Sequence, residues 1–330
     1  MENKKSFEKS SIIVFAIMLL TNVITYLFQV VLANMSISVE EYGISNTLNS
    51  LYAVLCVPST TLILVVMRYV LQTPAGKRGV FSYNMRLMLH ILAIIMCMVC
   101  ILLVPLFYAV LGLTDVIGLL ILDVGVFFTI LSSFPIGLLQ GEKDFLGYGI
   151  QGVVNATFKL GCILLLLNIG VNARGTAVAL VCGSIVAYIY ALFRSRQFRV
   201  KSEKEVDADL LKSMLKYGLG ILAIQFVISF MVNGDLLLVK YSFDEKTVGL
   251  YSAAMMFGKI STYLTGAIIA VLFPFISEGQ ARGKNVLPVL KKALVYGVGI
   301  SLFCALIINF SGEWIIGSFL GERYLPALKY

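Results

Sequence analysis

The 330-residue chain is 59% hydrophobic and only 13% charged, with a mean hydropathy of +0.93. Soluble domains carry about 25% charged residues, so a water-soluble fold of this composition would expose more apolar surface than is tolerated in water. The net charge of +8 does not indicate a nucleic-acid partner, because the basic residues lie in short loops between long apolar runs. These features predict a protein that has the lipid bilayer as its solvent.

The apolar runs are continuous and do not alternate, which favours membrane-spanning helices over a β-barrel. The apolar run from Ile12 is longer than the core of a signal peptide, so we expect the first helix to be retained. We predict an all-α fold, a polytopic transmembrane helical bundle. A span needs about 20 mostly apolar residues, and the predicted spans are 12–33, 44–67, 87–111, 116–139, 146–169, 175–193, 217–240, 248–275 and 290–310.

Lys and Arg are distributed unequally between the loops that connect these spans. About 19 of the 26 basic residues precede the first span or lie in the loops after spans 2, 4, 6 and 8. Loops rich in Lys and Arg remain cytoplasmic. We therefore expect a multi-pass protein of the plasma (inner) membrane with a cytoplasmic N-terminus.

The longest polar stretch, 194–216, follows the sixth span and is strongly basic. Its segment 206–215 has its apolar residues on one side of a helix. It is either a simple linker or an interfacial helix that rests on anionic lipid headgroups. The stretch separates a first six-helix transmembrane bundle, 1–193, from a partial second bundle of three helices, 217–330.

A shift of about 206 residues places the second unit on the first. Gly43 then falls on Gly249, Gln29 falls on Asp235, and the third span of each unit begins with a basic residue. Because six is an even number of spans, both units have the same orientation, as in transporters whose parallel repeats face each other across a central cavity. The second unit stops after its third span, so we expect about three further helices to be missing from this chain.

Short motifs resemble those of a known family. In chain order they are Glu40-Glu41-Tyr42-Gly43, Leu139-Gln140-Gly141 with Phe145, Asn233-Gly234-Asp235, Val248-Gly249-Leu250-Tyr251-Ser252, Phe273-Pro274 and Gly321-Glu322-Arg323-Tyr324. The ordered set resembles the polysaccharide (O-antigen-like) flippase branch of the multidrug/oligosaccharidyl-lipid/polysaccharide exporter superfamily, over essentially the whole chain. The resemblance implies about 12 to 14 helices in two bundles. It also implies flipping of undecaprenyl-pyrophosphate-linked sugars from the cytoplasmic to the outer leaflet.

Charged residues within spans are costly in lipid and tend to face a cavity. Asn155 and Lys159 recur at helical spacing in span 5, and Lys159 lies about 20 Å along the helix from its start. Lys259 is similarly deep in span 8. A buried cation that faces a cavity could attract a pyrophosphate group. Alternatively, Lys159 is the structural partner of Asp123 in span 4.

The candidate substrate-binding residues are two deep lysines and polar residues that would line the cavity: Lys159, Lys259, Asn22, Gln29, Asn155, Gln225 and Asn233. The candidate ion-coupling carboxylates are Asp123 and Asp235. Single Asn and Gln residues in spans are alternatively packing hydrogen bonds. The sequence shows no metal-ligand spacing and no phosphate-binding glycine loop, so we expect no enzyme activity, cofactor or metal.

Sequence and resemblance together predict a flippase that moves a lipid-linked oligosaccharide by alternating access. The expected partners are membrane lipids, a polysaccharide polymerase and glycosyltransferases. Two rivals stay open. A cation-coupled multidrug exporter of the same superfamily would need acidic residues in its cavity to bind cationic drugs. The charged residues deep in the spans of this chain are mostly Lys. A non-transporting membrane scaffold for polysaccharide-synthesis enzymes is compatible with an incomplete second bundle.

Overall fold

The computed structural model describes the backbone of residues 2–35, 38–166, 173–201, 204–281 and 287–330, and the side chains of these ranges except 2–15, 75, 263 and 266–281. All long elements in these ranges are helices: α1 Glu2–Met35, α2 Val39–Leu55, α3 Val57–Gln72, α4 Arg78–Leu111, α5 Val116–Gly141, α6 Phe145–Leu166, α7 Ala173–Arg194, α8 Ala208–Ser242, α9 Glu245–Ala281 and α10 Leu287–Leu320. The predicted all-α fold is confirmed.

Eight helical segments in the described residues are long and apolar enough to cross a membrane. They correspond to predicted spans 1 to 7 and 9. The predicted eighth span, 248–275, lies in α9, where many side chains fall outside the described residues. The loops 73–77 and 142–144 and the described stretches 195–201 and 204–207 meet at one end of the helices, which we name the basic end.

The helix bounds agree with the predicted repeat. Helix α1 begins at Glu2 and α8 begins at Ala208, while α2 begins at Val39 and α9 begins at Glu245. Both separations equal the predicted shift of about 206 residues. Helices α4 and α10, the third span of each unit, are both 34 residues long. The two units therefore place equivalent helices at equivalent points of the chain.

The segment 206–215 differs from both sequence-based expectations, because most of it is the first part of α8. The Asp207 side chain caps this helix by accepting a hydrogen bond from the Leu210 backbone N–H. Met214 is fully buried in an apolar cluster with residues of α3, α4 and α5. Leu210, Leu211 and Met214 thus pack on protein while Leu215 is exposed, and α8 runs without a break into span 7.

The second span is made of two helices that meet at Cys56. Pro58 has no backbone N–H to donate to the Val54 carbonyl, so the helical hydrogen bonding is interrupted there. Of the other prolines in spans, Pro105 and Pro135 lie inside continuous helices, and Pro274 has a side chain outside the described residues.

Helix α6 packs between α1 and α7 in the first unit, and α2 packs on α9 of the second unit. Helices α2 and α9 approach most closely at Gly43 and Gly249, the two glycines that the repeat makes equivalent. A Cβ atom on Gly43 would lie 2.7 Å from the Gly249 nitrogen, and one on Gly249 would overlap the Val39 carbonyl oxygen. Only residues without a Cβ permit this crossing.

The 3₁₀ helix Glu322–Lys329 after α10 docks on α1 and α2. The Tyr324 hydroxyl donates to the Ala33 carbonyl at 3.0 Å, and its ring meets that of Tyr42 edge to face, with centroids 5.4 Å apart. Burial raises the pKa of Tyr324 to about 12. This contact joins the chain after α10 to the first unit, at the end of the helices opposite the basic end.

Candidate functional site

Lys159 lies on the side of α6 that faces α1. Lys159 is only 9% exposed, and its Nζ atom lies 4.4 Å from the centroid of the Phe28 ring. The face of an aromatic ring attracts a cation. Among the described residues, no carboxylate oxygen lies within 4.0 Å of this ammonium group. Its positive charge is therefore stabilised by a ring and is not neutralised by an ion pair.

Small residues bring the neighbouring helices close to this part of α6. A Cβ atom on Gly152 would contact Thr21 of α1 at 3.5 Å, and one on Gly183 of α7 would lie 2.9 Å from the Asn155 carbonyl oxygen. Such residues let membrane helices approach closely. The same turns of α6 carry Asn155 and Lys159, so close packing positions both side chains.

Asp123 does not pair with Lys159, which was the alternative explanation for that lysine. It is 9% exposed in α5, and its Oδ1 atom has no hydrogen-bond partner in the described part of the chain. It lines a narrow apolar crevice with Leu51, Cys100 and Phe107, residues of α2 and α4. The structure thus separates the two groups by turning them toward different helices.

A second polar group joins α8 and α9. The Lys259 Nζ atom donates to the Asn233 side-chain oxygen at 3.3 Å, and the Tyr251 hydroxyl donates to the Asp235 carboxylate at 3.1 Å. The Asn233 amide also donates to the Ser229 carbonyl. Asp235 is close enough to Lys259 for their charges to interact, although no ion pair joins them among the described residues. Three predicted site residues, Asn233, Asp235 and Lys259, are therefore brought together.

The turn between α8 and α9 holds these two helices in place. The Thr247 hydroxyl donates to the Asp244 carboxylate at 2.6 Å, and this hydrogen bond lowers the pKa of Asp244. Lys240, whose side chain is only 4% exposed, pairs with Glu245 at 3.1 Å. The first contact closes the start of α9, and the second ties the end of α8 to α9.

The remaining predicted residues lie partly buried on three helices: Asn22 and Gln29 on α1, Asn155 on α6 and Gln225 on α8. The Gln29 Oε1 atom is buried and has no hydrogen-bond partner among the described residues. Helix α1 contacts both α6 and α9, so it lies between the two lysine-bearing helices. The described contacts do not join Gln225 or Asp123 to either lysine.

The sequence did not identify two residues of the site, Phe28, which contacts Lys159, and Tyr251, which contacts Asp235. Phe28 has no polar signal and looks like any other apolar residue of a span. Tyr251 stands in the Val248–Ser252 motif, which could have identified it, but its pairing with Asp235 depends on how α8 and α9 pack. The sequence also missed Tyr52, whose hydroxyl lies 2.6 Å from the hydroxyls of Thr129 and Ser184.

Three solved structures share this fold at low sequence identity. The inward-facing conformation of a multidrug resistance MATE family transporter of the MOP superfamily has a TM-score of 0.70 at 14% identity, over 96% of this chain and 78% of that chain. A complex of the MATE multidrug transporter DinF-BH has a TM-score of 0.68 at 13% identity, over 97% and 76%. A MOP superfamily transporter from Pyrococcus furiosus, described as having a binding pocket of reverse polarity, has a TM-score of 0.59 at 15% identity, over 98% and 76%.

Sequence comparison identifies a family but no individual relative. No curated protein matches the chain significantly. The profile of the family described as "Polysaccharide biosynthesis protein" matches residues 37–329, which is most of the chain. This match agrees with the ordered motifs and with the fold shared with MOP superfamily transporters. The chain therefore belongs to the polysaccharide biosynthesis protein family and has the fold of the MOP superfamily.

Proposed function

We propose that the protein is a flippase that moves a lipid-linked oligosaccharide across the membrane by alternating access, for surface polysaccharide synthesis. The family and the transporter fold support this proposal. The observation that carries it is Lys159, a buried ammonium group without a carboxylate within ion-pair distance among the described residues. A buried charge is costly when it has no partner. A pyrophosphate headgroup would supply the missing negative charge.

The cargo would be held in two ways. Lys159 and Lys259 engage the anionic headgroup, because each ammonium group has three donors and the described contacts use few of them. The polar side chains Asn22, Gln29, Asn155, Gln225 and Asn233 hold the sugars by weak, multiple hydrogen bonds. Such binding suits a bulky and variable cargo, which must also be released.

An ion gradient would drive the cycle through Asp123 or Asp235. Asp123 is buried, and one of its carboxylate oxygens has no hydrogen-bond partner among the described residues, whereas Asp235 accepts a hydrogen bond from Tyr251 and lies near Lys259. The protein would lie in the plasma (inner) membrane with its N-terminus and its basic end in the cytoplasm, where a glycosyltransferase supplies the cargo. A polymerase would consume the cargo on the other side.

A cation-coupled multidrug exporter is the second candidate, favoured by the fold shared with multidrug transporters. The described deep cations disfavour it, since they repel cationic drugs. A scaffold without transport activity is the third. Leaflet-specific labelling of lipid-linked sugar in reconstituted vesicles separates flipping from scaffolding, and the drug sensitivity of a deletion strain tests the exporter.

The test of the cationic site compares Lys159→Ala and Lys259→Ala in vesicles and in a strain whose surface polysaccharide depends on this protein. We expect each change to slow flipping about tenfold or more, because a hydrogen bond to a charged group contributes about 1.5–3 kcal/mol. Lys159→Arg should retain more activity than Lys159→Ala. Lys246→Ala, which removes an exposed lysine of α9, is the matched control. Normal flipping by both alanine variants at normal protein level would refute the cationic site.

A further inference from the structure

A crevice at the basic end is lined by neither Lys159 nor Lys259. It is enclosed by the start of α4, the end of α5 and the turn Ser195–Phe198 with the two residues after it. Its walls are mostly apolar and include Phe81, Phe134 and Leu138, while Arg78 and Arg199 line it from distant parts of the chain. The crevice thus combines an apolar wall with guanidinium groups.

The two arginines are only partly satisfied by the protein. Arg78 donates from Nη1 to Glu142 at 2.8 Å, and Arg199 donates from Nη2 to the Leu192 carbonyl at 3.0 Å. The Nε atoms of both arginines are buried without a hydrogen-bond partner among the described residues. A buried unpaired donor is costly. Both guanidinium groups therefore retain unused hydrogen-bonding capacity beside one crevice.

A third arginine adds to the positive charge. Arg86 lies two turns along α4 from Arg78, with its guanidinium 5.1 Å from the centroid of the Phe134 ring. It is close enough to Arg199 for their charges to repel each other. Glu142, the carboxylate that lines the crevice, already pairs with Arg78. The charge of the described lining residues is thus net positive.

The chain that follows the residues lining the crevice is tied to α4. The Asn84 amide donates to the Glu205 carbonyl at 2.7 Å, and its oxygen accepts from the Asp207 backbone N–H at 3.0 Å. Asp144, the nearby carboxylate at the start of α6, is occupied by Arg194. The arginines are therefore presented by ordered elements, and a ligand need not order them on binding.

We propose that this crevice binds a phosphate group carried on a lipid. Arginine forks match the geometry of phosphate oxygens, and the apolar wall suits the glycerol or acyl part of the same molecule. Basic pockets between membrane helices bind lipid headgroups in this way. The site is independent of the proposed transport function, because it uses neither Lys159 nor Lys259.

The test measures lipid binding to the purified full-length chain in detergent by native mass spectrometry, with dioleoylphosphatidylglycerol and dioleoylphosphatidylcholine as probes. We expect the anionic lipid to bind preferentially, and Arg199→Gln to weaken this binding about tenfold, since one charge-assisted hydrogen-bond donor is lost. The matched control is Arg196→Gln, which removes an exposed arginine of the same turn. Its affinity for phosphatidylglycerol should be unchanged. Arg86→Gln provides a second variant, and unchanged thermal stability establishes that each variant is folded.

Competition identifies the source of the phosphate. If undecaprenyl pyrophosphate displaces phosphatidylglycerol in the wild type, the site accepts the headgroup of the proposed cargo. If it does not, the site is specific for bilayer phospholipid. Both outcomes support a lipid-borne phosphate. Equal loss of binding in Arg199→Gln and Arg196→Gln, no loss in either, or displacement by inorganic phosphate as effective as by lipid would overturn the proposal.

Discussion

The ammonium groups of Lys159 and Lys259 are stabilised by different partners. Lys159 lies over the Phe28 ring, whereas Lys259 donates to Asn233 and lies near the Asp235 carboxylate. A ring satisfies a cation less completely than a carboxylate does. Lys159 is therefore the residue that gains most from an anionic ligand, and Lys259 also contributes to the contact between α8 and α9.

Lys259 and Asp235 are expected to be energetically coupled. Lys259→Met should lower the Tm of the purified protein, because it leaves the Asp235 carboxylate without a nearby cation. Adding Asp235→Asn should restore part of the loss, with a coupling energy of about 0.5–3 kcal/mol. The control combines Asp235→Asn with Lys292→Met, an exposed lysine, and should be additive. Additive effects for Lys259 as well would contradict the interaction.

At the scale of single helices, ends are set by side chains that satisfy free backbone groups. Asp144 precedes α6, and its carboxylate accepts from the Gly147 backbone N–H at 3.0 Å and from Arg194 of α7 at 2.7 Å. The same side chain thus begins one helix and ties it to the end of the next. This joint fixes the helix that carries Lys159.

Asp144→Ala tests this joint. Loss of the cap and of the ion pair should destabilise the protein by about 1–2 kcal/mol and lower its Tm by roughly 3–6 °C. Asp209→Ala removes an exposed carboxylate from the first turn of α8 and serves as the control. It should change the Tm much less. A Tm for Asp144→Ala as high as that of the control would show that the cap and the ion pair contribute little.

For the whole molecule, the contact between the two units depends on a pair of glycines. Helices α2 and α9 are equivalent in the repeat, and they cross where Gly43 meets Gly249. The two backbones touch directly at this crossing, so any added side-chain atom would push the helices apart.

Gly249→Ala is predicted to separate the units at this crossing, because its Cβ atom would overlap the Val39 carbonyl oxygen. We expect a lower Tm and slower flipping in vesicles. The control is Gly258→Ala in the same helix, where a Cβ atom meets nothing within 4 Å. Alanine stabilises a helix relative to glycine by about 1 kcal/mol, so the control should be neutral or stabilising. Equal Tm values for the two variants would contradict the tight crossing.

Much of the fold could be predicted because its signals are local. The hydropathy of each segment decides whether that segment enters lipid, so the apolar runs predicted the spans without knowledge of their neighbours. The helix bounds keep the spacing of about 206 residues that the expected repeat requires. The segment 206–215 is an exception. Its Asp207 cap and its apolar face belong to the start of α8, and the sequence alone did not show that the segment continues into this helix.

Composition and helical spacing are properties of the chain alone, so they sufficed to predict an all-α membrane protein with lysines deep in its spans. The packing of the helices was needed to show that Lys159 meets Phe28 and not Asp123, and that Gly43 meets Gly249. Apolar helix faces gain no hydrophobic free energy by leaving lipid tails for one another, so hydrophobicity does not select which faces meet. Close backbone contacts at small residues and single polar contacts then select the partners.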